Sequence, residues 1–229
     1  MGESWFLIVA IAGVWIAIYS WAKTLRLKRA EFIRAYQWPI GLLDKLEQKH
    51  PGLTRKDTAL VSRGLRQFFL AHLMSGNKFV AMPSQVVDDL WHEFILYTRE
   101  YKQFCGKAFG RFMHHTPAVV LGPASATNGG LRRTWWFACR DENIDPKRAT
   151  RLPLLFALDG KLQIPNGFRY DLNCDLLRKD GVTGVYCTAD LARPAERSAS
   201  GSGCGGGSGC GGGDSGGDGG GCGGGCGGD

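Results

Sequence analysis

The run WFLIVAIAGVWIAIYSWA, residues 5–22, carries no charged side chain over eighteen residues. As an α-helix rising about 1.5 Å per residue it would extend about 27 Å, close to the hydrocarbon thickness of a bilayer. It is apolar on every face, and Trp5, Tyr19 and Trp21 sit near its ends, where aromatic rings anchor at a membrane–water interface. The pattern predicts a transmembrane helix over 5–22. A cleaved signal peptide would need a basic segment ahead of the run and a small-x-small site after it, and neither stands there. A buried core helix would leave the aromatic residues at the ends unexplained.

Lys23, Arg26, Lys28, Arg29 and Arg34 follow the run against Glu31 alone, whereas only Glu3 precedes it. The positive-inside bias therefore puts residues 1–4 outside and the C-terminal part in the cytoplasm, at a cell membrane. Residues 23–34 read as a basic juxtamembrane segment. Lys23, Arg26, Lys28 and Arg29 would attract anionic lipid with about 1 kcal/mol per charge near the surface. The net charge of +7 rises to +10 once the three aspartates of the last thirty-two residues are set aside, and the membrane flank accounts for much of it without nucleic acid.

Residues 198–229, SASGSGCGGGSGCGGGDSGGDGGGCGGGCGGD, hold more than half of the 34 glycines and almost nothing that can be buried. Such a segment cannot offset the entropy of ordering and is predicted to be a disordered tail. Its thiols, Cys204, Cys210, Cys222 and Cys226, are irregularly spaced, which fits a flexible chain that touches a soft metal ion or a protein partner better than a preformed zinc knuckle. Without basic or aromatic residues the tail is a poor nucleic-acid binder.

Between anchor and tail, residues 35–197 read as one helical globular domain. PIGLLDKLEQKHPG predicts a short helix over 39–49, and LTRKDTALVSRGLRQFFLAHLMSGN one over 55–75, with His72 on its apolar side as a core histidine. LGPASATNGG reads as a loop, and LRRTWWFACRDENIDP as a helix burying Trp135 and Trp136. Beyond residue 150 the prolines and glycines predict a small irregular or two-stranded part. The fold class is mainly α.

The stretch VVDDLWHEFILYTREYKQFCGKAFGRFMHHTP, residues 86–117, concentrates the chemistry. Val87, Leu90, Trp91, Phe94, Tyr97, Tyr101, Phe104, Cys105, Ala108 and Phe112 recur at helical spacing, so it is first of all a core helix, with Ser84 as its N-cap and Asp88 and Asp89 in its first turns. Asp88 and His92 are four apart and share a face, whereas His92 and Cys105 would be about 220° apart on an unbroken helix. Gly106 and Gly110 allow a reversal that would swing His114 or His115 back toward them. The candidate site is therefore Asp88, Asp89, His92, Cys105, His114 and His115. Carboxylate, imidazole and thiolate suit zinc or another transition metal, although no tight metal motif is present. The competing reading is packing, helix capping and structural hydrogen bonds.

DDLWHEF, Tyr101 with Phe104-Cys105, and FGRFMHH resemble the core of the glycine-rich domain-containing protein-like family over residues 35–120. Its plant members show an Asp, then Trp-His, then a Tyr and a Cys, with a second His where this chain has Phe94. The resemblance implies no agreed reaction and no catalytic residues. A nucleotide-binding glycine loop and a nucleophile elbow are both missing from the sequence. The expected function is a single-pass membrane-anchored binding or scaffold protein; the alternative is a membrane-anchored metalloprotein or thiol enzyme.

Overall fold

A computed structural model describes residues 2–115, 124–172 and 185–192. In chain order the elements are α1 (Gly2–Ala35), α2 (Leu42–Lys49), α3 (Arg55–Met74), α4 (Gln85–Leu96), α5 (Thr98–Phe109), α6 (Ala124–Asp141), α7 (Leu154–Lys161), β1 (Arg169–Asp171), β2 (Val185–Cys187) and a closing turn, α8 (Ala189–Ala192). The architecture is mainly helical, as the periodicity predicts. Its only sheet among the described residues is a parallel pair, with Arg169 opposite Val185 and Asp171 opposite Cys187. Cys187 is disulfide-bonded. The tail and its four cysteines lie outside the described residues.

α1 is one unbroken helix of 34 residues that changes environment along its length. Ile8, Trp15, Ile16 and Trp21 are all well over half exposed, and Ile8–Ala35 is the one described helix long and apolar enough to cross a membrane. Two turns further on, Ala30 and Ile33 are fully buried in the core and Phe32 stacks near Phe104. The domain's packing thus begins inside the basic segment that follows the apolar run.

α3 occupies the centre and is packed by α1, α4, α6 and α7. Its start is fixed by a reciprocal capping box, in which the Thr54 hydroxyl accepts from the Asp57 N–H and the Asp57 carboxylate accepts from the Thr54 N–H. Gly64 lets α7 and α4 close in, since a Cβ there would meet Leu158 Cδ1 at 2.5 Å and Val87 Cγ2 at 3.0 Å. Around α3 lies an aromatic cluster in which Phe69, Phe94, Phe104 and Tyr36 meet with ring centroids 4.7–6.4 Å apart. Edge and tilted contacts of this kind add about 0.5–1.5 kcal/mol per pair beyond burial.

Two expectations are corrected. The stretch from 86 is two helices, because the chain leaves helical geometry at Tyr97 (φ −79°, ψ 64°). There the phenol donates to the Ile40 carbonyl at 3.2 Å and Lys45 sits over the ring, contacts across the fold that a continuous helix would not make. α5 then runs through Gly106, and the reversal falls at Gly110, whose φ of 76° suits glycine. The supposed loop 121–130 already belongs to α6 from Ala124. Gly130 sits inside that helix because a Cβ would strike the Phe79 ring at 2.5 Å, and Thr134 Oγ1 donates to the Ala81 carbonyl beside it at 2.7 Å.

His72 is buried, with Nδ1 3.1 Å from the Lys78 carbonyl and its ring edge-on to Phe109. Burial pushes its pKa down to about 4, so the folded protein holds the neutral ring. An unfolded chain would take up that proton near 6.5, so this group costs no stability above that value and lowers stability as pH falls toward 4. Between about pH 7.5 and about pH 5 the expected loss is on the order of 2 kcal/mol. Thermal melting of wild type and His72→Phe across that range should show the acid slope flattened in the variant; equal slopes would assign the acid sensitivity elsewhere.

Candidate metal centre

α4 carries two members of the centre, and its placement begins with a carboxylate from another helix. Asp159 of α7 is almost completely buried. Its Oδ1 accepts from Ser84 Oγ at 2.7 Å and the Val86 N–H at 3.2 Å, and its Oδ2 from the N–H groups of Gln85 at 2.7 Å and Phe168 at 2.8 Å. Three of these donors sit at or beside the start of α4, where helix N–H groups lack internal partners and the dipole favours negative charge. Ser84 adds the expected cap, accepting from the Val87 N–H. With α4 so fixed, Val87, Leu90, Trp91 and Phe94 fill the core and Asp88 and His92 share a more open face.

The third member arrives on the return after Gly110. The Trp91 indole N–H donates to the Tyr101 hydroxyl at 3.2 Å, and that hydroxyl donates to the Met113 carbonyl at 2.6 Å. This buried relay ties α4, α5 and the returning strand of chain together. Two residues on, the His115 ring lies 4.6 Å from Trp91 and 4.3 Å from His92, with Nε2 at 3.2 Å from Asp88 Oδ1. His92 Nδ1 is 3.7 Å from Asp88 Oδ2. One ligand atom from each of Asp88, His92 and His115 falls within 4.8 Å of the others.

The other candidates are elsewhere. Asp89 points to α2, accepting from Lys49 Nζ at 2.7 Å and facing His50 Nε2 at 2.8 Å. Burial alone would raise its pKa, but those hydrogen bonds and charges more than offset it and hold the carboxyl below its usual range. Cys105 is fully buried in the core, and burial pushes its thiol up, away from the thiolate a metal or a nucleophile needs. Its neighbours, Tyr101 and the Met113 backbone, place it behind the relay. His114 is exposed and stacks against Phe112. Thus the structure gathers Asp88, His92 and His115 and leaves out Asp89, Cys105 and His114.

Two imidazoles and a carboxylate form a donor set suited to zinc, with remaining positions open to solvent. The side chains of His115 and Asp88 are 17% and 22% exposed and that of His92 45%, so an ion would have access from one side. Asp159 and the Tyr101 hydroxyl, which build the centre without belonging to it, escaped the sequence reading. A lone acid in the apolar run LLFALDG is the signal that could have marked the first.

A family model described as UCP032817-like matches residues 28–191, more than two-thirds of the chain. No curated protein and no solved structure matches it.

Tyr101→Phe keeps the ring and removes the relay, leaving the Met113 carbonyl and the Trp91 N–H without their partner. The expected cost is about 1–3 kcal/mol. Thermal melting measures it, and a melting point equal to wild type would show that the return segment is held by packing alone.

Proposed function

The chain belongs to the UCP032817-like family, a kinship that brings no reaction with it, and we propose that it is a single-pass membrane-anchored binding module whose ligand is a transition metal ion of the zinc type. The convergence of Asp88, His92 and His115 carries this reading. In a tetrahedral site with bonds of about 2.0–2.1 Å, ligand atoms stand about 3.3 Å apart. The Asp88–His115 pair is already at 3.2 Å, and the half-exposed His92 has the rotamer freedom to close the remainder. The residues that suggested the glycine-rich domain-containing kinship, Asp88, Trp91-His92, Tyr101 and Cys105, lie in this one unit. Phe94, where plant members of that family have a second His, is in the aromatic core, and His115 takes the third place.

A thiol enzyme draws no support from Cys105, which is buried with its pKa raised. Anchoring is supported by the exposed apolar length of α1, and a cytoplasmic domain by the basic residues that follow it. One observation favours a second orientation: the disulfide at Cys187, since such bonds persist in oxidising compartments. Protease accessibility in intact cells decides between them. Protection of the domain supports the cytoplasmic side, and digestion from outside supports the other.

The metal reading is tested on full-length protein purified in detergent, by elemental analysis and calorimetric zinc titration. One ion per chain is expected, with or without residues 198–229. Loss of an outer partner of a metal ligand typically weakens binding about 10–100-fold, so His92→Ala or His115→Ala should weaken it at least that much. Cys105→Ser should leave the ion bound. Absence of a stoichiometric ion, or variants that melt earlier yet bind as wild type, would return the cluster to a structural role.

A further inference from the structure

We propose that the cleft between α1 and the C-terminal end of α3 holds the phosphate of an anionic membrane lipid. The inference rests on α1 being the membrane anchor. The cleft, about 220 Å³, is lined on the α1 side by Trp21, Leu25, Arg26 and Arg29 and on the other by Leu73 and Asn77. Its α1 residues fall on one helix face, and they begin where the apolar run ends.

Position is the first argument. Arg26 and Arg29 lie about 6 and about 10 Å along the helix beyond Ala22, the last residue of the apolar run. A headgroup layer occupies about 5–8 Å on each side of the hydrocarbon. The cleft therefore opens at headgroup depth, with Trp21 at the interfacial level.

Charge is the second. Arg26, Arg29, Lys78 and Arg111 have no carboxylate partner among the described residues, whereas Arg34, Lys45, Lys49 and Arg151 are each paired with an acid. Arg29 is held in place by donating from Nη1 to the Phe109 carbonyl at 3.2 Å, and its guanidinium lies against Gly110. Arg111 donates to the Asn77 carbonyl, bringing a further cation to the same turn. The Arg26 side chain makes no hydrogen bond or ion pair with the described residues. A guanidinium fork matches phosphate oxygens and is weakly hydrated, so it suits this role better than an ammonium.

Asn77 lines the cleft just beyond the end of α3. It adopts a left-handed conformation (φ 58°), and its Nδ2 donates to the Phe109 carbonyl at 3.1 Å. Its Oδ1 is buried without a hydrogen-bond partner. A headgroup with net negative charge, as in phosphatidylglycerol, meets the arginines that lack an acid, whereas phosphatidylcholine is neutral overall.

Full-length protein in bilayers of phosphatidylcholine with and without phosphatidylglycerol provides the test, with retained lipid read by native mass spectrometry. Wild type should retain phosphatidylglycerol in preference to phosphatidylcholine. Arg26→Gln, which disturbs no internal contact, should weaken retention about fivefold, and Arg26→Gln with Arg29→Gln more strongly. Lys23→Gln with Lys28→Gln removes the same charge from residues outside the cleft and should change retention little. Equal losses from the two pairs would overturn the proposal in favour of a diffuse charge effect. Displacement of the lipid by inorganic phosphate would also overturn it, making the occupant a soluble anion. Resistance to alkaline carbonate extraction, measured alongside, tests the anchor separately: a resistant protein without lipid preference sinks this inference alone, and an extracted one sinks the anchor.

Discussion

A single buried hydroxyl decides whether the chain returns to α4 in register. Tyr101 receives the Trp91 N–H and donates to the Met113 carbonyl. Without that bond the carbonyl would be buried unpaired, at a cost comparable with a sizeable fraction of a small domain's net stability. The aromatic core holds Tyr101 from one side, with Phe94 at 5.2 Å, and Phe112 covers it from the other at 5.3 Å. His115 is placed by this arrangement rather than by anything in its own immediate sequence. Asp159 plays the matching part for α4, because its carboxylate collects donors from the start of that helix and from Phe168. The proposed ligands thus hang on two buried polar attachments within an apolar core.

α1 joins this core to whatever surrounds its first half. Helical hydrogen bonding continues from the apolar run to Ala35, and burial begins at Ala30, so no hinge separates the two parts. As the proposed anchor, a rod of that kind would fix the distance between bilayer and domain. It would also hold the arginines of its middle turns at one depth, which favours the proposed cleft there over a freely tethered domain.

Local chemistry made some of this readable and left the rest hidden. Leu42–Lys49 and Arg55–Met74 fall close to the predicted helices because Pro39, the Thr54–Asp57 box and Gly76-Asn77 punctuate them. The shared face of Asp88 and His92 follows from a spacing of four, and Cys105 belongs to the apolar stripe, which is where burial puts it. The break at Tyr97 was illegible, since it is made by Ile40 and Lys45, distant in sequence. The early start of α6 depends on Phe79 closing over Gly130, again a contact no local window contains. The choice between His114 and His115 was equally hidden, because the two face different ways and it is the Met113 bond and the packing on Trp91, distant in sequence, that bring His115 to Asp88.

Cobalt substitution reads the proposed metal centre itself, since the visible and near-ultraviolet spectrum of bound Co²⁺ reports both geometry and donor atoms. A centre of Asp88, His92 and His115 should give ligand-field bands of a four- or five-coordinate ion with nitrogen and oxygen donors, no sulfur-to-cobalt charge-transfer band, and loss of the spectrum in His115→Ala but not in Cys105→Ser. A strong charge-transfer band, a spectrum that survives His115→Ala, or cobalt that stays hexaaqua would contradict it.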